Sequence, residues 1–260
     1  MPAAQRVAIV TAASKGIGEA CARELAERGY KLALISPSGA CEKLAKALGG
    51  IGFAGSVTEE ADIKRLVDAT LDKWGRIDAV VNNSGRHASV FKKHGFEGRS
   101  ALTAARLNYD PDFESNMLEI PDAVWHGVLD LIVLNVVRMC RHVTPHMIKQ
   151  GSGAIVNISG MEASQPRVLY TTGPVRLALH GITKIYSDRY GKHGIRMNNV
   201  LPGIVENADM DAEEIRKAIP IPRRGTLAEM AKTVAFLLSE DAGYITGQQI
   251  LVDGGLNRSI

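Results

Sequence analysis

The chain alternates short apolar runs of strand length with longer runs of helical period, and this alternation constrains the fold of its 260 residues more than any other feature. Apolar, β-branched runs predict buried strands at 7–10, 32–35, 79–81, 154–158, 197–201 and 250–252. Amphipathic runs predict helices at 17–28, 59–74, 124–148, 175–190 and 227–238. Strands joined by helices in this order predict right-handed crossovers, and therefore an α/β fold with a doubly wound parallel sheet and helices on both faces.

The segment 86–121 interrupts this alternation. It is polar, rich in Gly, Asn, Asp and Arg, and longer than an ordinary loop of a compact domain. We therefore predict an insertion within a single domain that spans residues 1–260. The first half of the segment is basic and the second half is acidic, which fits either a solvated surface or a lid that grips a substrate.

Composition narrows the function to small-molecule chemistry. A net charge of +3 is small for this length and offers no broad surface to nucleic acid or to an anionic membrane. Cys21, Cys41 and Cys140 are widely spaced and form no disulfide framework, which favours the reducing cytoplasm. No signal peptide is evident and no apolar run approaches the roughly 20 residues that cross a bilayer, so we expect a cytoplasmic protein without a membrane partner.

A glycine-rich loop, Thr11 to Gly18, follows the first predicted strand and opens the first predicted helix. Gly16 and Gly18 lack Cβ atoms, so backbone N–H groups and the helix amino terminus can approach a pyrophosphate closely. Two glycines alone often serve only packing, but a strand before them and a helix after them are the context of a dinucleotide site. The loop therefore predicts a bound dinucleotide.

Further motifs give the chain a family resemblance. Asn82-Asn-Ser-Gly85 follows one strand, Pro202-Gly203 follows another, and Tyr244-Ile-Thr-Gly-Gln precedes Val252-Asp-Gly-Gly255 near the carboxyl end. Together with the glycine loop, and in this order, they resemble the short-chain dehydrogenase/reductase family over nearly all of the chain outside the insertion. The resemblance implies a Rossmann-like fold, an NAD or NADP cofactor, and a homotetramer or homodimer.

The resemblance and the loop together imply a set of cofactor contacts. Two positions depart from the family pattern, because Ala12 replaces the first loop glycine and Ser56 replaces the acidic residue that usually meets adenine. The predicted contacts are Thr11, Ser14, Lys15, Gly16, Ile17, Gly18, Ser36, Ser56, Val57, Asn83, Ser84, Gly85, Arg176, Pro202, Gly203 and Val205. We predict no metal site.

The end of the second strand predicts the choice of cofactor. An Asp or Glu there would accept a hydrogen bond from the ribose 2′-OH and repel a 2′-phosphate, but this chain has Ser36-Pro-Ser38. Lys15 in the glycine loop can offer the phosphate a charge-assisted hydrogen bond. The sequence therefore favours NADP over NAD; the alternative is that Lys15 is merely exposed to solvent and the selectivity is weak.

The family's catalytic tyrosine and lysine have no direct equivalents in this chain. The resemblance implies a proton-donating Tyr and a Lys four residues later on one helix face. Counting back from Gly181-Ile-Thr-Lys184 puts Thr172 and Arg176 in these positions. Arg176 keeps the positive charge but is not deprotonated in proteins. The hydroxyl of Thr172 is a far weaker acid than a phenol, whose pKa is about 10.

Tyr170 is a candidate replacement for the missing phenol. Pro174 lacks an N–H and fits only the first turn of a helix, so this helix is predicted to begin near Thr172 or Gly173 and to leave Tyr170 in the preceding loop. The alternative is that Thr172 is an N-cap and Tyr170 an ordinary packed aromatic residue.

Two further catalytic positions come from the resemblance. Asn135, an amide within an apolar stretch, must find hydrogen-bond partners and matches the family's catalytic asparagine, or it is a purely structural bridge. The family's serine falls one position after Ser159, so Ser159 either reaches the substrate or only ends its strand. The segment 206–219 is short for the family's substrate lid, and we expect the 86–121 insertion to cover the cleft instead.

These features predict a cytoplasmic, NADP-preferring oxidoreductase that transfers hydride between nicotinamide and a small-molecule carbonyl or alcohol. Asn135, Ser159, Tyr170 and Arg176 are expected around the reacting oxygen. One alternative is a non-redox enzyme on the same scaffold, either lyase-like or similar to the halohydrin dehalogenases, which carry Arg in the Lys position. Another is a nucleotide-binding protein without catalysis, because a fold by itself does not imply an activity.

Overall fold

The computed structural model describes residues 5–84, 88–93, 117–165, 171–208 and 210–259. Within them, seven parallel strands form one sheet in the order β3-β2-β1-β4-β5-β6-β7. The strands are β1 (Val7–Thr11), β2 (Lys31–Ser36), β3 (Ile51–Ala54), β4 (Ala79–Asn82), β5 (Gly153–Ile158), β6 (Ile195–Pro202) and β7 (Gln249–Val252). The predicted doubly wound α/β fold is therefore confirmed.

Helices cover both faces of the sheet. The described helices are α1 (Gly16–Glu27), α2 (Ala40–Ala47), α3 (Glu60–Trp74), α4 (Ala88–Lys93), α5 (Asp122–Leu129), α6 (Asn135–Gln150), α7 (Thr172–Tyr190), α8 (Ala212–Ala218) and α9 (Leu227–Leu238). Buried side chains of α1, α2 and α9 form the core on one face, and those of α3, α5, α6 and α7 form it on the other. A small third cluster joins α8 to Met161 and Leu256.

The sequence ranges omitted β3, α2, α4 and α8. Strand β3 is short, contains Gly52 and lies only half-buried at the edge of the sheet, so it lacks the continuous apolar run that marks β1. Helices α2 and α8 span eight and seven residues, which is about two turns and too few for a clear helical period. Helix α7 begins at Thr172, as the position of Pro174 predicted.

The predicted helix at 124–148 is longer than expected and is interrupted. Helix α5 leads into a π-helical turn, Asp130–Leu134, and α6 follows directly at Asn135. By length and composition alone, Asp122–Gln150 is apolar enough to cross a bilayer, which differs from the expectation of no such run. In the fold, its side chains at Val128, Val136 and Val143 belong to the core beside the sheet. Burial in the protein core accounts for part of this apolar character, since 39% of the apolar window is buried.

Strand order reverses between β1 and β4. The chain winds outward from β1 to β2 and β3, then returns across β1 to β4 and continues to β7 on the other side. The loops that leave the carboxyl ends of β1 and β4 therefore diverge and open a crevice, which is where ligands bind in open α/β sheets.

A row of buried polar side chains crosses the centre of the sheet and fixes α7 against it. Asn157 of β5 accepts a hydrogen bond from Asn82 Nδ2 of β4 at 2.8 Å. Its own Nδ2 donates to Asn199 Oδ1 of β6 at 3.0 Å and to Thr183 Oγ1 of α7 at 3.2 Å. Thr183 in turn donates to Asn199 at 3.0 Å. All four side chains are buried, so these hydrogen bonds satisfy polar groups that water cannot reach.

We expect Asn157→Leu to lower the free energy of unfolding by about 3 kcal/mol or more, because it leaves Asn82 Nδ2 buried without its partner and removes one of the hydrogen bonds that Thr183 and Asn199 each make. Ile155→Val, in the same strand, is the control and should cost about 1 kcal/mol. Denaturant unfolding at fixed protein concentration measures both variants. An equal loss for the two would contradict a special contribution from the polar row.

Candidate active site

The crevice at the carboxyl ends of the strands holds a cavity of about 860 Å³. This volume lies within the usual range for ligand pockets, roughly 300–1,000 Å³. Most of the predicted contacts meet in its wall: Ser14, Lys15, Gly16, Ile17, Ser36, Ser56, Val57, Asn83, Ser84, Ser159, Arg176 and Pro202. Five predicted residues are described but do not line the cavity: Thr11, Gly18, Asn135, Gly203 and Val205. Gly85, Tyr170 and most of the 86–121 segment lie outside the described residues.

The glycine loop is held tightly against the end of β4. A Cβ atom at position 18 would lie 2.5 Å from the carbonyl oxygen of Ala12 and would also collide with Asn83, so only glycine fits there. Asn83 Nδ2 donates to that same oxygen at 3.3 Å, and its backbone N–H donates to Thr11 Oγ1 at 2.9 Å. Thr11 and Gly18 therefore fix the shape of the loop without lining the cavity, whereas Ser14, Lys15 and Gly16 line it.

Ala12 adopts the left-handed backbone conformation, with φ of 49°. The family pattern that the sequence resembles has glycine here, and glycine occupies this region without steric cost. For an L-residue the conformation costs roughly 1–2 kcal/mol. The substitution therefore keeps the shape of the loop while adding strain to it.

The outer end of the cavity has the polar groups that a nucleotide requires. Ser36 ends β2 and lines the cavity, and its buried Oγ has no hydrogen-bond partner among the described residues. Lys15 is exposed and lines the same cavity. At Ser56, where the resemblance implied an acid, the backbone N–H donates to the carboxylate of Asp62 at 2.9 Å. A carboxylate thus lies close to this position after all, supplied from the first turn of α3.

The end of β6 closes the cavity from the other side. A Cβ at Gly203 would lie 2.6 Å from Asp253, so glycine allows the two segments to approach. Val205 pairs with Gly225 in an isolated parallel bridge, which turns its side chain into the fold. Asn207 lines the cavity and its Nδ2 reaches within 3.0 Å of where a Cβ of Gly16 would be. Asn207 thus faces the glycine loop directly.

At the inner end of the cavity, Arg176 is paired with a carboxylate that the sequence analysis did not identify. Arg176 Nε lies 2.8 Å from Glu162 Oε1, and Nη1 donates to the carbonyl oxygen of Ile158 at 3.3 Å. The two side chains are only 9% and 12% exposed, so the pair is shielded from water yet still forms part of the cavity wall. Burial of this kind strengthens the attraction between the charges and raises the cost of removing either one.

Gly160 makes room for this pair. It occupies the position where the family resemblance places a serine, and a Cβ there would lie 2.6 Å from Glu162 Oε1 and collide with Oε2. The backbone at Gly160 is extended, with φ of −165°, so the glycine is required by space and not by backbone conformation. The carboxylate of Glu162 therefore stands where the side chain of a serine would stand.

Ser159 points toward α7. Its Oγ is 2.8 Å from His180 Nε2, and both residues are buried, although Ser159 still contributes to the cavity wall. Burial and the positive charge of Arg176 lower the pKa of His180 to about 4, against the partial opposition of Glu162. The imidazole is therefore neutral at pH 7 and can accept a hydrogen bond from the serine hydroxyl.

Asn135 is linked to the cofactor side of the cavity through the π-helical turn. Its Nδ2 donates to the carbonyl oxygen of Leu131, which also accepts a hydrogen bond from Ser84 Oγ at 3.1 Å. Leu131 and Asp130 line the cavity, whereas Asn135 lies behind them. Thr172 is the first residue of α7, one position past the cap, and is buried.

Sequence reasoning did not assign several residues of this wall to the site, among them Asp130, Gly160, Glu162 and Asn207. Glu162 lies in the single 3-10 turn Met161–Ala163, and no spacing to other site residues identifies it. Gly160 gave a signal, because a glycine directly after a buried strand often marks a close approach by another group. Asp130 opens the π-helical turn, and such turns often occur at functional sites.

The fold and the cavity define an α/β protein of the dinucleotide-binding class. Comparison with known families gives a more specific result, because the model of the short chain dehydrogenase family matches residues 6–218. The chain therefore belongs to the short-chain dehydrogenase/reductase family. This membership supports an NAD(P)-dependent oxidoreductase.

Three relatives illustrate the similarity. A dehydrogenase/reductase SDR family member 4 of Caenorhabditis elegans is 32% identical and covers 96% of this chain and 95% of its own length. A 3-oxoacyl-(acyl-carrier-protein) reductase FabG of Staphylococcus aureus is 30% identical, with coverage of 96% and 97%. A putative ketoacyl reductase 2 of granaticin polyketide synthase from Streptomyces violaceoruber is 33% identical, with coverage of 96% and 95%.

The residues present fit an NAD(P) molecule. The glycine loop leaves backbone groups open to the cavity where a phosphate would approach, and Ser36 offers an unpartnered buried hydroxyl at the end of β2. The dinucleotide would be held by the loop, Ser36 and the segment after β6, and it would supply or accept a hydride at the inner end of the cavity.

The space at Gly160 can be tested by a double-mutant cycle. Gly160→Ala should lower the free energy of unfolding by about 1–3 kcal/mol, because the added Cβ displaces the carboxylate of Glu162 from Arg176. In a Glu162→Ala background the same change should cost at least about 1 kcal/mol less. Gly191→Ala, where a Cβ meets open space, should stay within about 0.5 kcal/mol of the parent. Equal costs of Gly160→Ala in both backgrounds would contradict the steric link.

Proposed function

We propose that this protein transfers hydride between a nicotinamide cofactor, preferably NADP, and a small-molecule carbonyl or alcohol. The observation that carries the proposal is the continuous cavity, which runs from the glycine loop to the pair of Arg176 and Glu162. The names of two relatives, an oxoacyl reductase and a ketoacyl reductase, support a carbonyl substrate.

The proposed catalytic group comprises Asn135, Ser159, Tyr170 and Arg176. Arg176 supplies the positive charge near the sugar of the cofactor, although its pairing with Glu162 limits how far it can move. Ser159 contacts the substrate from the cavity wall, with its hydroxyl held by neutral His180. Asn135 acts from behind the wall by fixing the carbonyl oxygen of Leu131. Tyr170 provides the phenol that acts as the acid.

The preference for NADP rests on the end of β2. No carboxylate occupies the Ser36-Pro-Ser38 segment, so nothing there repels a 2′-phosphate. Ser36 Oγ is a buried donor without a partner among the described residues, and Lys15 supplies a positive charge in the same cavity wall. Both groups favour a phosphate over a hydroxyl.

We also propose a cytoplasmic homotetramer or homodimer in which the 86–121 insertion covers the cleft. Helix α7 supports the assembly, because Leu177 and Ile185 are 56% and 71% exposed and lie eight residues apart on one helix face. Cys21, Cys41 and Cys140 are free thiols, which is compatible with a reducing compartment. Val90 and Lys93, which belong to the described part of this segment, line the cavity and support its role as a cover.

The wild-type protein should bind NADPH more tightly than NADH, and Lys15→Ala should weaken NADPH binding by about tenfold or more while leaving NADH binding unchanged. Lys192→Ala is the control, because Lys192 is exposed just before the amino end of β6 and therefore lies at the opposite edge of the sheet. Fluorescence titration gives both dissociation constants. Tighter binding of NADH by the wild type would reject the preference, and no saturable binding of either cofactor would reject the function.

Tyr170→Phe should lower kcat for carbonyl reduction by about 10²-fold if the phenol is the acid, because that is the usual contribution of general acid catalysis. Cofactor affinity should not change. Tyr190→Phe, at the far end of α7, is the control and should keep wild-type turnover. Wild-type turnover by Tyr170→Phe would remove this residue from the mechanism.

A further inference from the structure

The inner end of the cavity carries a hydrogen-bond acceptor where the family resemblance places a donor. A serine hydroxyl can donate to the oxygen of a carbonyl substrate, but Gly160 has no side chain and the carboxylate of Glu162 occupies that space. An ionised carboxylate only accepts hydrogen bonds, so it repels a carbonyl oxygen and attracts a group that carries hydrogen and positive charge.

The ion pair with Arg176 orients this carboxylate but does not occupy all of its hydrogen-bond acceptor positions. Oε1 faces Arg176 Nε, whereas Oε2 is the atom nearest to where a Cβ of residue 160 would stand. A carboxylate has about four acceptor positions, so a bond to arginine leaves capacity for a substrate. Arg176 also donates to the carbonyl oxygen of Ile158, which anchors the pair to the end of β5.

A second carboxylate lines the same cavity. Asp130 opens the π-helical turn and lies 2.6 Å from Arg138, with about a third of its side chain exposed. Lys15 of the glycine loop and Lys93 line the cavity as well. The wall therefore carries two carboxylates, each paired with an arginine, and the carboxylate of Glu162 is the one that stands over Gly160.

We propose that this site reduces protonated imines, with Glu162 as the residue that contacts the iminium nitrogen. This inference rests on the nicotinamide-dependent hydride transfer of the proposed function and adds a substrate class to it. An iminium ion brings its own N–H and positive charge, and both fit the acceptor that stands over Gly160.

The chemistry of the iminium ion matches the side chains of the inner end. Hydride adds to the iminium carbon and forms a C–H bond, the π pair of the C=N bond moves to nitrogen, and the reduced dinucleotide is oxidised. Nitrogen already carries its proton, so the step needs no acid from the protein. Thr172 in the position of the phenol and Arg176 in that of the lysine, both poor proton donors, are then adequate.

The first test measures binding, independently of turnover. Calorimetry compares tetrahydroisoquinolinium, a charged cyclic ammonium ion, with tetralin, its neutral hydrocarbon isostere, on the full-length protein. The ammonium ion should bind the wild type more tightly, and Glu162→Gln should weaken it by about tenfold or more without affecting tetralin. Glu24→Gln is a matched control, because Glu24 is also paired with an arginine, at 2.7 Å, and is 14% exposed, but lies outside the cavity.

The second test compares reduction of 3,4-dihydroisoquinoline, an imine, with reduction of 2-tetralone, a ketone, by NADPH. Glu162→Gln should lower kcat/KM for the imine by at least about tenfold more than it lowers kcat/KM for the ketone. Thermal melting confirms that the variant is folded, and Glu162→Asp, which keeps the charge, should retain part of the imine activity.

The outcomes separate the two proposals. Equal losses for imine and ketone, or no effect on either ammonium binding or imine reduction, would overturn the role of Glu162. Reduction of the ketone alone would overturn the substrate class while leaving the proposed function intact. If NADPH does not bind at all, the proposed function fails first, and this inference fails with it.

Discussion

A parallel sheet that is covered by helices on both faces leaves only its edges open, and this constraint governs the whole molecule. Most residues of the central strands are apolar, because both faces of the sheet are covered there, and every carboxyl end opens onto the same side of the sheet. Reversal of the strand order between β1 and β4 then separates the loops at one point of that side and creates the cavity. The buried row through Asn157 ties α7 to the sheet, so Arg176 is held on a rigid element.

The ion pair of Arg176 and Glu162 at the inner end of the cavity is largely shielded from water. Arg176 would be costly to bury alone, and Glu162 offsets this cost with a short contact in a shielded environment. The pair also affects its neighbours, since the positive charge of Arg176 helps to lower the pKa of His180 and keeps the imidazole neutral at pH 7. The neutral imidazole can accept from Ser159, so one pair orders the carboxylate, the imidazole and the hydroxyl.

Much of the fold could be predicted because its signals are local and repeated. The runs at 7–10 and 154–158 identified β1 and β5, and Pro174 located the beginning of α7. The half-buried edge strand β3 and the two-turn helix α2 were missed, because short elements at the edge produce weak periodicity. The glycine-loop end of the cavity could also be anticipated from the sequence, because the residues of that loop are contiguous in the chain. The roles proposed for Ser159 and Tyr170 remain predictions, and Tyr170 lies outside the described residues.

The sequence by itself determined the alternation of strands and helices and the glycine loop, and therefore the fold and the class of cofactor. Only the tertiary structure decided which side chains meet at the inner end of the cavity. The carboxylate of Glu162 reaches Arg176 over Gly160 because β5 and α7 are packed together and because the glycine has no Cβ. An interaction that depends on the absence of an atom and on residues from separate elements leaves no periodic trace in the sequence.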